Sequence, residues 1–345
     1  MITSEQVARL AGVSRTTVSR VLNGTGRISE EVRQRVLEAA ATLGYEPNVV
    51  AQSMVRQRSR TIVLGMFHVE EGLSFSRLGE TKHYFYLDVL KYIEAEAAEA
   101  DYDLLQPSRP QDMTPEGYVR SLRTRNVAGA ILLALSSADA RIPALVQADL
   151  PTVFIDAVGQ GRFATYIKSD NGNGARQVTE HLLSLGHRRI AFLTGSLSNM
   201  FGMERILGAQ QAFTSAGYSL DPDLIRQSGW NTEQAYEAAC QLLNERRDFT
   251  AIVAGSDLMA MGILRALREQ GLCVPKDVSL TGFDDVGLAR YTEPGLTTVR
   301  QDKEAMGRQA IQLLLRMIEG EEYIPPVTLP TRLVVRQSTG PAPIA

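Results

Sequence analysis

The chain has 345 residues, 44% hydrophobic and 22% charged, with 36 Lys and Arg against 39 Asp and Glu and a formal charge of −3. That length accommodates two or three domains of roughly 100 to 200 residues each. No run of about 18 apolar residues and no basic segment leading into a short apolar stretch is present, which excludes a spanning helix and a secretory leader, so a soluble, cytoplasmic protein is expected.

Only two cysteines, Cys240 and Cys273, are available, too few for a disulfide framework or a zinc motif. The four histidines, His68, His83, His181 and His187, show no H-E-x-x-H pairing, so no metal and no cofactor is expected. Charge is divided unevenly. Residues 1–60 hold nine arginines and five glutamates, a local charge of +4, which leaves −7 for the rest of the chain. A basic head on an acidic body can face phosphate even though the whole is acidic.

Residues 3–44 read as three short helices. Thr3 and Gln6 fit a capping box, after which Val7, Leu10 and Ala11 fall on one face. Gly12 ends this helix and Ser14 caps the next, whose Val18, Val21 and Leu22 point inward while Arg15, Thr16, Ser19 and Arg20 point outward. The third starts at Ser29, places Glu30 and Glu31 at the positive end of its dipole, buries Val32, Val36 and Leu43, and stops at Gly44. The turn between the first two has the length of a helix-turn-helix.

Residues 48–60, NVVAQSMVRQRSR, offer too few apolar positions to fold alone and read as a hinge. From Thr61 strands alternate with amphipathic helices. TIVLGMF, a helix over Tyr84–Ala100, YDLLQ, a helix near 116–125, GAILLAL and PTVFIDA form one series. YIKSD, a helix over Gly174–Leu185, RRIAFLTG, helices at 204–216 and 232–245, TAIVAGS, a helix at 258–270 and VSLTGFDD form a second. This alternation implies parallel sheets with right-handed crossovers, in two similar halves with a cleft at the carboxyl ends of their strands.

The stretches VARLAGVSRTTVSRVLNG, RISEEVRQRVLEAAATLGYEPN and VVAQSM, followed by SDNGNGARQVTEHLLSLGHRRIAFLTG, SDLMAMGILRALREQGLCVPKDVSLTGFDD and EPGLTTVRQDKEAMG, resemble in order and spacing the lactose/galactose repressor (LacI/GalR) family of bacterial transcription regulators, over about residues 3–338. The resemblance implies an all-α helix-turn-helix head and an α/β core of two Rossmann-like, parallel-sheet subdomains of the periplasmic-binding-protein type I. It places the head at 1–46 and a hinge helix with its linker at 47–60. The core spans 61–345, with one subdomain at about 61–160 and 292–321, the other at about 161–291 and 322–338, and a disordered tail at 339–345. It implies a DNA-binding regulator, expected to be a repressor rather than an enzyme, that binds near-palindromic operator DNA as a homodimer and associates with the nucleoid when bound. One head contacts too few base pairs for useful specificity, which independently favours two-fold pairing.

Onto the family's base-reading positions fall Arg15 and Thr16, with Arg20 as a further base contact. Arginine can donate bidentately to guanine, and threonine offers a hydroxyl or methyl to a base edge. Thr17, Ser19 and Asn23 are assigned to phosphates, which fix register without reading sequence, and Thr3, Ser4 and Ser14 are also assigned to the DNA face. Asn48 and Ala51 match hinge positions near the minor groove, and Met54 stands where the family usually has a wedging leucine.

In the core the resemblance assigns effector contacts to Arg205, Asp284 and Trp230; Asp156, ending PTVFID at another strand end that faces the cleft, and Gln301 are placed with them. Carboxylates, one arginine and an aromatic plate suit a neutral polyol, so a sugar, oligosaccharide or glycoside is the expected effector. Ser256 and Asp257 replace the family's Asn-Asp, and both are placed in the pocket. The first loop, HVEEGLSFSRLGETKHYFY, is longer than usual and ends in aromatics, of which Tyr84 and Phe85 are assigned to the effector site and Tyr86 follows. Three other readings compete: an enzyme, for which GQGRFA at 159–164 leads into a strand rather than the helix a dinucleotide needs; an exported sugar-binding protein, opposed by the basic head; and a regulator that uses a purine corepressor.

Overall fold

A computed structural model of the chain describes residues 2–22, 26–45, 59–66, 84–107, 113–197 and 200–343. These divide into a head, residues up to Thr61 with 126–128, and a core comprising the remainder.

In the head, α1 (Ser4–Ala11), α2 (Arg15–Leu22) and α3 (Glu30–Leu43) enclose Val7, Val18 and Val36, each fully buried. The Gln6 side chain accepts the Thr3 amide at 2.9 Å, and the Ser14 and Ser29 hydroxyls accept the Thr17 and Val32 amides, so each helix opens on a side-chain cap. Leu10 departs from the expectation. It is 55% exposed, because Ala8 and Ala11 take the inward positions instead.

The first subdomain of the core is a parallel sheet in the order β11-β5-β4-β3-β1-β2. Its strands are β1 (Thr61–Met66), β2 (Asp103–Leu105), β3 (Gly129–Leu133), β4 (Thr152–Ile155), β5 (Ala164–Ser169) and β11 (Val327–Leu329). Helices α4 (Tyr84–Glu99), α5 (Pro115–Thr124), α6 (Arg141–Gln147) and α11 (Lys303–Ile318) cover it. Strands this apolar, buried along their length, are what a sheet covered on both faces requires.

The second subdomain is the sheet β7-β6-β8-β9, from β6 (Ile190–Thr194), β7 (Ile225–Gln227), β8 (Ala251–Ala254) and β9 (Ser279–Thr281), with α7 (Asn171–Ser184), α8 (Met200–Ser215), α9 (Thr232–Glu245) and α10 (Asp257–Glu269). Strand alternation sorts its core into two layers. Leu193, Ile252 and Ala254 pack with α9 and α10, while Phe192, Ala251 and Val253 pack with α7 and α8.

Three crossovers join the subdomains: β5 into α7, β10 (Thr298–Gln301) into α11, and β11 into β12 (Thr331–Val334). Their positions correct the subdomain limits read from the sequence. Residues 164–169, assigned to the second subdomain, pair with β4 from Thr152↔Ala164 to Ile155↔Ile167, and 327–329 pair with β5, so both belong to the first sheet. Conversely β10 pairs with β12, and the Gly282 and Asp284 amides bond Thr297 and Val299, which puts 297–301 with the second. The sequence signal lay in Asp170 and Asp302, whose carboxylates cap α7 and α11 at the crossovers.

The tail is a second correction. Ser338 is 1% exposed and its hydroxyl bridges Leu280 and Thr297. Gly340 accepts from the His187 ring at 3.0 Å, and the Ala342 amide bonds Leu185. Paired backbone, not disorder, describes 338–342. Among the described residues no helix is long and apolar enough to cross a membrane.

Candidate DNA-reading head and effector site

On α2 the residues assigned to base edges, Arg15, Thr16 and Arg20, are exposed, while Val18 and Val21 anchor the opposite face. The helix begins on Ser14, whose hydroxyl also lies 2.9 Å from that of Thr17, so these two side chains fix the first turn. Thr3 is exposed and Ser4 and Ser19 are partly exposed. Asn23, Asn48, Ala51 and Met54 lie outside the described residues, as do 67–83 of the first loop of the core.

The core brings a second set together where strands end. Asp156 follows β4 and Asp284 lies just beyond β9, both with positive φ (57° and 115°), a conformation that costs a non-glycine residue and that clusters at functional sites. Both side chains are buried, 5% and 8% exposed. Arg205 approaches from α8, its Nε donating to Asn171 Oδ1 at 3.0 Å and its other arm to the Gly255 carbonyl. Its guanidinium stacks 3.7 Å from the Phe283 ring centre and 5.5 Å from that of Trp230. Gln301, at the end of β10, donates to Asp284 Oδ1 at 2.7 Å, and Tyr86 donates its hydroxyl to Asp156 Oδ2 at 3.3 Å.

Burial governs the electrostatics. It pushes Asp156 up to about 7 and Asp284 up to about 6, in each case against the pull of Arg205. The same burial lowers Arg205, whose charge Asp284 and Asp156 support. Asp156 Oδ1 is buried with no hydrogen-bond partner among the described residues, an acceptor whose desolvation they leave uncompensated. A hydroxyl donated by a ligand would complete it.

Several other assigned residues also make contacts that hold the scaffold together. Phe85 is 8% exposed and packs into the first subdomain's core, its ring edge-on to Tyr86. The ring that reaches the cluster is its neighbour Tyr86, one helical position on; Tyr84 is 40% exposed. Asp257 is fully buried, each of its oxygens accepting one bond, from the Thr298 hydroxyl at 2.5 Å and the Val286 amide at 2.8 Å. It ties α10 to the strand ends. Ser256 caps α10 by accepting the Met259 amide. Trp230 is partly buried against the second subdomain's core, its ring flat on Gly195, where any Cβ would collide with it. Asn171 was missed by sequence reasoning, although its place beside the capping Asp170 marks the crossover. Among the described residues no group of His, Cys, Asp or Glu could hold a metal ion.

Residues 3–48 match the model of the bacterial regulatory proteins of the lacI family, and residues 179–339 match a periplasmic binding protein-like domain. The transcriptional regulator CelR of Thermobifida fusca is 34% identical, with 97% of this chain and 98% of that protein covered. A structure of a CelR–cellobiose complex superposes with a TM-score of 0.73 at 33% identity, covering 98% of this chain and all of that one. The lac repressor dimer bound to operator and the anti-inducer ONPF superposes with a TM-score of 0.82 at 30% identity, covering 98% and 99%.

Proposed function

Since the chain belongs to the lacI family of bacterial regulatory proteins, DNA-binding transcriptional regulators with an effector-binding core, we propose that it is a dimeric repressor released from its operator by a neutral sugar or glycoside. The observation that carries the effector class is the cluster of Asp156, Tyr86, Arg205, Asp284 and Gln301, drawn from both subdomains. Its carboxylates, amide, phenol and single guanidinium match the mixed donors and acceptors of vicinal hydroxyls. The half-buried Trp230 ring supplies an apolar plate beside them. An anionic effector would meet two carboxylates around one arginine, and a phosphorylated sugar is disfavoured on that ground.

In the head, exposed Arg15 and Thr16 read the half-site and the neighbouring hydroxyls seat phosphates. Effector and operator must weaken each other's binding by one common factor, since both draw on the same equilibrium of the core. The test is a gel shift with DNA from upstream of the gene and its neighbours, repeated with neutral sugars, sugar phosphates and purines. Release by a neutral sugar is the expected result. Tightening by a purine, or no response to any ligand that binds the core, would overturn the reading.

A further inference from the structure

An ion pair crosses between the subdomains beside the effector cluster. Lys168, the penultimate residue of β5, donates to the Glu204 carboxylate on α8. The two side chains are 20% and 25% exposed, so the pair is more desolvated than a surface bridge and less so than a core one. Each partner is fixed to its own subdomain. Lys168 sits within the first sheet opposite Thr328 of β11. Glu204 rides on a helix clamped to α7, because Gly208 lies so close to the Gly172 carbonyl that no Cβ fits between them.

Any movement of one subdomain against the other that carries α8 away from the end of β5 stretches this pair. Glu204 also bears on the cluster electrostatically, opposing ionisation of Asp156 and supporting the charge of Arg205. Lys303 makes a parallel tie at the second crossover. It pairs with Asp88 of the first subdomain at 2.9 Å and donates to the Asp285 carbonyl of the second at 2.8 Å.

We propose that Lys168–Glu204 is an interdomain latch that holds the core in the arrangement seen here and sets, before any effector arrives, how often the subdomains part. It rests on the reading that the effector acts between the subdomains, and it adds the element that fixes the resting balance. An effector bound to Asp156 and Arg205 then works on an equilibrium this pair has already biased.

The test measures distances in the full-length protein without ligand. With Cys240→Ser and Cys273→Ser in the background, spin labels at Glu99→Cys and Glu237→Cys, both exposed, report the separation of the subdomains, the labelled chains being diluted with unlabelled protein. Lys168→Met and Glu204→Gln should each raise the parted population about fivefold, and the exchanged pair Lys168→Glu with Glu204→Lys should restore the native distribution. Unchanged distances in both single variants, or no restoration in a folded exchange variant, would overturn the latch. If the exchange variant does not fold, Lys168→Arg must keep the native distribution while Lys168→Met loses it; equal behaviour of the two overturns the proposal. A sugar panel that fails to release DNA would sink the effector reading and leave these distances informative.

Discussion

Asp156 is where burial and function oppose each other most directly. Its carboxyl is raised to about 7 by desolvation, so the folded chain holds a proton there that the unfolded chain has released above about 4. The stability this proton contributes is present at low pH and is lost as pH rises through about 7. Asp156→Asn keeps a neutral group at every pH. The variant should therefore melt near the wild type at pH 5 and become more stable than it at pH 8, by on the order of 2 kcal/mol. A difference that does not change between those pH values would show that Asp156 titrates normally. At the other end of the chain, Arg15→Ala should cost about 1 to 3 kcal/mol of operator binding and relax base preference at one position per half-site. Competition assays on operators substituted at each position would register this. Equal weakening on all of them would make Arg15 a phosphate contact.

At the scale of elements, side-chain pattern decided what could be read in advance. Strands such as GAILLAL and RRIAFLTG and the three helices of the head announce themselves by period and caps, whereas Arg205 and Asp284 are assigned only through the resemblance to the LacI/GalR family. Tyr86 was hidden because a helix carries neighbouring aromatics to different sides: Phe85 turns into the core and Tyr86 to Asp156. Asp257 is assigned to the pocket because Ser256-Asp257 stands where the family has Asn-Asp, and its bonds to Thr298 and Val286, which the sequence does not reveal, make it also a brace between α10 and the strand ends. The subdomain limits slipped because YIKSD reads equally well as the last strand of one sheet or the first of another. Packing of α7 on α8 hangs on Gly208, whose surroundings leave no room for a methyl group. Gly208→Ala should cost about 1 to 3 kcal/mol from overpacking, seen as a lower thermal midpoint, while Gly217→Ala, with open space around it, serves as the control that shows only the cost of its positive φ.

For the whole molecule, the last residues are structural members. Ser338, Gly340 and Ala342 bond Leu280, His187 and Leu185, and the His187 ring, its pKa lowered chiefly by burial, spans Thr250 and Gly340. Removing 338–345 exposes these groups without partners, at roughly 1 kcal/mol or more for each. The truncated protein should melt several degrees lower, and calorimetry that finds no change would show the tail to be dispensable.

The three crossovers also dictate an order of assembly. The first subdomain opens the core sequence but is closed only by α11 and β11, at 303–318 and 327–329. A ribosome that has finished β5 has made a sheet still missing one edge strand and a covering helix. All of the second subdomain except β12 and the segment after it must be synthesised before either arrives. During that interval the apolar faces of Ile131, Val153 and Ile155, later packed with Ile311 and Leu314, stand open to water and to chaperones. The first subdomain is therefore finished only near the end of the core's synthesis, after most of the second has been made.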